Sequence, residues 1–299
     1  MHLRAIGHYR GKLRGRFDVV IDQVNTIPFF TPLWADVPIF MMVWQLAREV
    51  WWYESRFPLS GIGYILEPVY LRAYRNTPVL TYSNSTKTDL RHLGFRAPIS
   101  VLPVGIEPVG ANTTAKSTDP TFVYVGRLAP SKRVDDIIHA FAIFHHRTSR
   151  GRLLLIGQGP DRYVAHLRHR SVDLGVSDRI DFCGWLTGEE KHRQMTRAWV
   201  LLMASVREGW GLVVTEANAC GTPAVVYDVA GLRDSVRHEQ TGLVVAPTPR
   251  ALADGMERLV RAPELYSQFR QSALNWSHAF TFEAGARLVQ EKIGDLIAI

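Results

Sequence analysis

Two short stretches concentrate the side chains that could handle an anionic, oxygen-rich ligand. The first is GRLAPSKRVDD, running from Gly126 to Asp136. Gly126 permits close approach of another backbone, and Arg127, Lys132 and Arg133 bracket the start of a helix. Cations at a helix amino terminus oppose its dipole by about 0.3 to 1 kcal/mol each, so an anion such as a phosphate would resolve the conflict. The other reading is that Asp135 and Asp136 satisfy the helix terminus while the cations point to water. The second stretch is SVREGWGLVVTEANACGTP, in which Glu208 and Glu216 stand eight positions apart with Gly209 and Gly211 between them. Such glycines allow a tight turn whose amides face a ligand, and a carboxylate accepts hydrogen bonds from sugar or ribose hydroxyls. Taken alone, the pair could equally be a helix terminus enriched in Glu.

These stretches need a scaffold that brings them together. Continuously apolar β-branched runs alternate with segments of helical period, the pattern of a parallel sheet buried on both faces. In the first third, strands are expected at Phe17 to Asp22, Pro38 to Val43, Val79 to Ser83 and Ile99 to Pro103. A helix is expected from Ile62 to Tyr74, and Ser85 is read as the cap of the next one. Residues 105–120 are rich in Gly, Pro, Ser and Thr and read as a linker. Beyond it, strands are expected at Thr121 to Val125, Arg152 to Ile156, Ile180 to Cys183, Trp199 to Met203, Ala224 to Tyr227 and Leu243 to Val245. Helices fall between them, with the first from Ser131 to Arg147, and a helical tail follows Pro249. The fold class is α/β with two Rossmann-like lobes, residues 1–104 and 121–280, and residues 281–299 form a helix packing back toward the first lobe. In such sheets ligands bind beyond the carboxyl ends of the strands, which is where both stretches lie.

Composition narrows the field. The chain has 299 residues, 46% hydrophobic and 21% charged, which suits a soluble protein with room for two domains. Its two cysteines, Cys183 and Cys220, form no C-x-x-C pair, which excludes a disulfide framework or a cysteine-built zinc site and leaves both as packing residues. No D-x-D triplet or His-rich constellation occurs, so no metal and no cofactor are expected. IGQGPDR has Arg162 in the place of the third glycine of a dinucleotide fingerprint and fails as one. The basic amino terminus has no apolar run behind it, so no cleaved leader is expected. Residues 23–47 carry only Asp36 as a charge, but Pro28, Pro32 and Pro38 break them as a membrane span. The expected location is the cytoplasm, at the inner face of the membrane.

The stretches GRLAPSK, IGQGP, EGWGLVVTEANACGTPAV, AGLRDSV and TGLVV occur in this order and together resemble the nucleotide-sugar lobe of family 4 (group 1) retaining glycosyltransferases of the GT-B fold. The resemblance covers about residues 99–299. It implies that Arg127 and Lys132 hold the donor diphosphate, Glu208 contacts the transferred sugar and Glu216 binds the nucleotide ribose. Gly126 lies in the same loop, amides around Gly209, Trp210, Gly211 and Leu212 help neutralise the leaving phosphate, and backbone near Cys183, Gly184 and Trp185 frames the base. It also implies retention of anomeric configuration by a front-face, oxocarbenium-like route with no obligatory metal. Departure of a nucleoside diphosphate builds negative charge, which two fixed cations and a helix terminus are suited to stabilise.

The first lobe matches less closely. The family often ends the strand after a proline with a His, and counting from Pro38 that place is Trp44. The acceptor lobe of the family opens with strands and a glycine-rich loop, and no counterpart precedes Phe17, so this lobe reads as shortened at its start. Residues 1–104 hold 12 basic and 7 acidic side chains, against 23 and 21 in residues 105–299. Arg10, Lys12, Arg14 and Arg16 with Trp34, Trp44, Trp51, Trp52 and Tyr53 would suit a bilayer interface holding a lipid-linked acceptor; the other reading is a solvated basic tail beside an aromatic core. The expected partners are a nucleotide sugar, a glycan or lipid-linked acceptor and a peripheral membrane contact. Nucleic acid is not expected, because the basic residues follow no recognisable binding module. The alternative function is a non-catalytic or impaired donor-lobe protein that binds nucleotide sugar, or a membrane glycan-assembly complex, without turnover.

Overall fold

The computed structural model describes residues 2–109 and 115–298. Part of the expected linker, residues 110–114, therefore lies outside the described residues. The strands are β1 (Val20–Val24), β2 (Ile39–Val43), β3 (Val79–Thr81), β4 (Ile99–Val101), β5 (Thr121–Val125), β6 (Arg152–Ile156), β7 (Ile180–Gly184), β8 (Val200–Met203), β9 (Ala224–Tyr227) and β10 (Gly242–Val245). The helices are α1 (His2–His8), α2 (Val50–Glu54), α3 (Leu59–Tyr70), α4 (Asn84–His92), α5 (Val134–Thr148), α6 (Asp161–Asp173), α7 (Gly188–Arg197), α8 (Leu212–Ala219), α9 (Pro249–Arg261), α10 (Pro263–Ser277) and α11 (Phe282–Ile297). The chain divides into two compact units: Ile106–Phe280 forms one, and the residues up to Gly105 together with those from Thr281 onward form the other.

In the Ile106–Phe280 unit, six parallel strands lie in the order β10-β9-β8-β5-β6-β7. After β7 the chain returns to the middle of the sheet and pairs β8 with the other side of β5. The loops after β5 and β8 thus leave adjacent strands in opposite topological directions, which opens a crevice at their carboxyl ends. The short apolar runs explain the strands: every residue of VLLM in β8 and AVVY in β9 is buried, as a sheet covered by helices on both faces requires. The core extends through Phe122, Phe141, Phe144 and Leu201, all fully buried.

The other unit has four parallel strands in simple sequential order, β1-β2-β3-β4. Its core is split in two, one cluster around Met41, Tyr74 and Leu90 and another around Phe40, Leu80 and Leu102. α11 completes the second cluster with Leu288, Val289, Ile293 and Leu296.

Two expectations need correction. The cap of α4 is Ser83, whose hydroxyl accepts from the Thr86 amide at 3.2 Å, and not Ser85, because the helix starts one residue before Ser85. The helix expected from Ser131 begins at Val134, after a 3₁₀ turn over Pro130–Lys132 that lets Lys132 leave the helix axis.

Candidate functional site

Three loops at the carboxyl ends of β5, β6 and β7 are stitched together by backbone. The Gly126 amide donates to Ile156 O at 3.0 Å, the Leu128 amide to Gln158 O at 2.8 Å and the Gly157 amide to Gly184 O at 2.7 Å. This closeness is why IGQGP carries glycines: a Cβ on Gly157 would lie 1.9 Å from Gly126 O, and one on Gly159 1.9 Å from Leu128 O. The loop after β5 is held further by Tyr124, whose hydroxyl donates to Arg127 O at 2.6 Å. Burial, reinforced by the nearby Glu208 charge, pushes that phenol well above its ordinary range, so it stays a neutral donor.

Across the switch point the two singled-out stretches meet. Lys132 Nζ lies 2.5 Å from Glu208 Oε1, with both side chains more than four-fifths buried. Ser205, fully buried two residues past the end of β8, donates its hydroxyl to the same carboxylate oxygen at 2.7 Å. The backbone of Glu208 is fixed from the far side, since its amide donates to Ala230 O at 3.0 Å. Gly231 (φ +83°) is so close that a Cβ there would sit 2.0 Å from Glu208 O. The AGLRDSV stretch is thus the backstop of the Glu208 loop. The loops after β5 and β8 are also joined by the Val206 amide donating to Ser131 O at 2.8 Å.

Arg133 goes elsewhere. Its guanidinium pairs with Asp136 at 2.6 Å and lies over the Tyr227 ring, while the Tyr227 hydroxyl donates to Asp136 at 2.8 Å. Burial pushes the Asp136 carboxyl up, against the opposing pull of Tyr227 and Arg133. Asp135 accepts from the Tyr163 hydroxyl at 3.2 Å. Both aspartates of GRLAPSKRVDD therefore tie α5 to its neighbours, and Lys132 is the cation of this helix start that reaches Glu208.

The loop into α8 turns at Gly211, where φ +95° suits glycine and leads straight into the first helical amides. Trp210 is 9% exposed, packed near Trp276 and Phe280, and its ring nitrogen donates to Thr215 Oγ1 at 2.9 Å. Its indole holds the loop in place, and what it can offer a ligand is backbone. Glu216, one turn into α8, is met by Lys191 of α7: Nζ lies 2.7 Å from Oε2. α7 is anchored for this by a capping box between Thr187 and Glu190. Gly184, at φ +66°, turns the chain out of β7, and the Trp185 that follows it is 68% exposed. Cys183 is half-buried and Cys220 buried, and burial raises both thiols, Cys220 to about 11, so neither is a ready thiolate.

Sequence reasoning missed Lys191, Ser205, Tyr124 and Gly231. Ser205 lies inside the stretch that was singled out, three residues before Glu208, and a hydroxyl near a loop carboxylate was a usable signal. Lys191 is 25 residues from Glu216 with no local pattern joining them. In the other unit, Trp44 follows the end of β2 and stacks on Tyr82 with ring centroids 3.8 Å apart.

Comparisons with known proteins place the chain in a family. The family model "Glycosyl transferases group 1" matches residues 107–276, more than half of the chain, and the chain belongs to that family. Over 241 residues, 78% of this chain, it is 32% identical to an exopolysaccharide phosphotransferase of Streptomyces coelicolor, spanning 25% of that protein. It is 34% identical to the D-inositol 3-phosphate glycosyltransferase of Frankia alni, over 55% of this chain and 42% of the relative. A GDP-mannose-dependent phosphatidylinositol monomannoside mannosyltransferase of Mycobacterium tuberculosis is 33% identical over 42% of this chain and 34% of its own length. The chain thus spans well under two thirds of the curated relatives it matches. Among solved structures, sucrose-phosphate synthase from Thermosynechococcus elongatus superposes with a TM-score of 0.80 at 21% identity, covering 99% of this chain and 78% of the other. Anabaena HepE in complex with UDP and glucose gives 0.78 at 17% identity, covering 99% and 81%. The fold is GT-B, two Rossmann-like lobes.

Proposed function

We propose that this chain is a retaining glycosyltransferase that moves a sugar from a nucleoside diphosphate donor to a glycan or lipid-linked acceptor without a metal. The observation that carries the reading is the Lys132–Glu208 pair at 2.5 Å, set where the sheet reverses direction. In the proposed reaction the anomeric C–O bond to the diphosphate breaks as the acceptor hydroxyl adds from the same face, and the hydroxyl proton passes to the departing phosphate oxygen. Arg127 and Lys132 hold the diphosphate, and the amides from Gly209 to Leu212 at the start of α8 meet the charge that develops on it. Glu208 takes the hydroxyls of the transferred sugar, Glu216 those of the ribose, and the backbone from Cys183 to Trp185 frames the base. The names of the relatives, one of which acts on a phosphatidylinositol mannoside, support a lipid-linked acceptor and a peripheral membrane contact.

A thermal-shift screen against a panel of nucleotide sugars tests the donor half, because a ligand bound only by the folded state raises Tm by mass action. One donor is expected to stabilise the protein, and Arg127→Ala or Lys132→Ala to abolish the shift. Transfer of label from that donor to an acceptor extract, unchanged by EDTA and lost in Glu208→Gln, tests the rest. A protein stabilised by no nucleotide sugar would sink the reading.

A further inference from the structure

α3 is built in the reverse sense to an ordinary surface helix. In LSGIGYILEPVY the one charged residue, Glu67, points inward: it is 3% exposed, and its carboxylate accepts from the Ala47 amide at 2.6 Å and the Arg48 amide at 2.7 Å. Ser60 is 2% exposed. The apolar residues point out, with Leu59 at 65%, Ile62 at 49%, Ile65 at 66%, Leu66 at 49% and Val69 at 48% exposure. Their spacing gathers them into one stripe along the helix. α2 widens it: Trp51 packs against Gly63, whose added Cβ would fall 2.4 Å from the indole, and Trp52 lies beside Tyr64 with ring centroids 5.6 Å apart. Trp52 is 51% exposed and Phe57, between the two helices, 85%. An uncharged apolar stripe of this extent marks an interaction surface.

Length and charge decide what covers it. Twelve residues of helix reach roughly 18 Å, well short of a bilayer's hydrocarbon core of about 30 Å, so the helix can lie in a membrane interface and cannot cross it. Among the described residues no helix is long and apolar enough to span. Arg56 and Arg72 are exposed at the two ends of α3, and Arg48 flanks it with its guanidinium 4.5 Å from the centre of the Tyr64 ring. The exposed acids nearby are Glu49, just before α2, and Glu54, its last residue, and neither is without a partner. A second copy docked on the same face would set these cationic rims against each other, whereas anionic headgroups complement them. We propose that α3, with Trp52 and Phe57, is a docking face that lies in the interface of an anionic bilayer. Its apolar stripe sits below the headgroups, and Arg56 and Arg72 sit at lipid phosphates. This names the surface behind the membrane contact proposed above and rests on that reading.

Sedimentation with sucrose-loaded vesicles tests it without using sugar transfer. The full chain is expected to bind vesicles of phosphatidylcholine mixed with phosphatidylglycerol, and phosphatidylcholine alone much more weakly. The triple change Ile62→Ser, Ile65→Ser, Leu66→Ser removes no core side chain and is expected to cut vesicle binding at least about tenfold. The Tm and any nucleotide-sugar shift should stay in place, so that failure of the donor reading is seen separately. Quenching of tryptophan emission by brominated lipid should fall in Trp52→Phe. The proposal is overturned if wild type ignores both vesicle types, or if the triple variant binds like wild type. It is overturned equally if wild type is a dimer that the triple variant dissociates.

Discussion

The two units are made of the same parts and put them to different use. In the Ile106–Phe280 unit the strand order reverses between β5 and β8, and the side chains with chemistry converge on that reversal. In the other unit β1 to β4 simply follow one another, with no reversal among the described residues, and its most unusual feature is a face of α3 that holds its charge inside and its apolar residues outside. A parallel sheet acquires a ligand crevice where adjacent strands send their loops apart. In the unit without such a point, the feature that stands out is the apolar stripe of α3, with Arg56 and Arg72 exposed at its ends.

The comparison can be broken most severely at the crevice. Glu208→Gln keeps the shape and removes the charge that pairs with Lys132, and transfer is expected to fall on the order of 10² to 10³-fold, measured as kcat/KM with the donor from the thermal screen. An unchanged rate would mean the reversal point is scaffold only. Next in size is Gly157→Ala, where the new Cβ would strike Gly126 O and force apart the loops after β5 and β6. About 2 to 3 kcal/mol of stability should be lost, read by urea unfolding, with donor binding weakened in the folded fraction.

Smaller effects sharpen the contrast. Lys191→Met should weaken donor binding roughly tenfold, because the Glu216 carboxylate loses the ammonium that fixes one of its oxygens. Since only Glu216 is disturbed, the preference for a ribonucleotide over its 2′-deoxy analogue should shrink, which calorimetry would show; an unaltered preference would separate Glu216 from the ribose.

Lys116 gives an effect that is small near neutrality and diagnostic in its dependence on pH. Its ammonium donates to Ala198 O at 2.6 Å and Thr222 Oγ1 at 2.7 Å, and burial, helped by the Arg270 charge, pulls its pKa down to about 7. The unfolded chain then binds more protons than the folded one from about pH 7 up to the ordinary lysine range, so this residue makes stability rise with pH across that window. The limiting slope is about 1.4 kcal/mol per pH unit. Wild type minus Lys116→Met stability should therefore increase between neutral and alkaline pH, and a flat difference would show that the ammonium is not buried as described. Within residues 105–120, Lys116 and the Ser117 amide, which donates to Arg197 O at 2.9 Å, hold the chain to the end of α7 and to the turn before β9.

Much of this was legible in the sequence because the causes are local. The apolar run of β9 falls where the β-branched pattern put it, since a strand buried on both faces must be apolar at every position. Glu208, Lys132 and Glu216 stood out because their glycine-rich surroundings are contiguous in the chain. Helix starts were less legible: Ser83 and Ser85 are equally good caps by type, and only the backbone conformation chooses.

What the sequence determined by itself was the α/β alternation and the two lobes, and it singled out the residues proposed to meet phosphate and sugar, because periodicity and side-chain chemistry are properties of neighbours along the chain. The tertiary structure alone decided that Lys132 turns to Glu208 while Arg133 turns to Asp136, that Lys191 and Ser205 hold the two glutamates, and that α3 faces outward with its apolar side. The Lys132–Glu208 and Lys191–Glu216 pairs depend on which elements the sheet order brings side by side, and residues that meet across a strand reversal share no pattern in sequence.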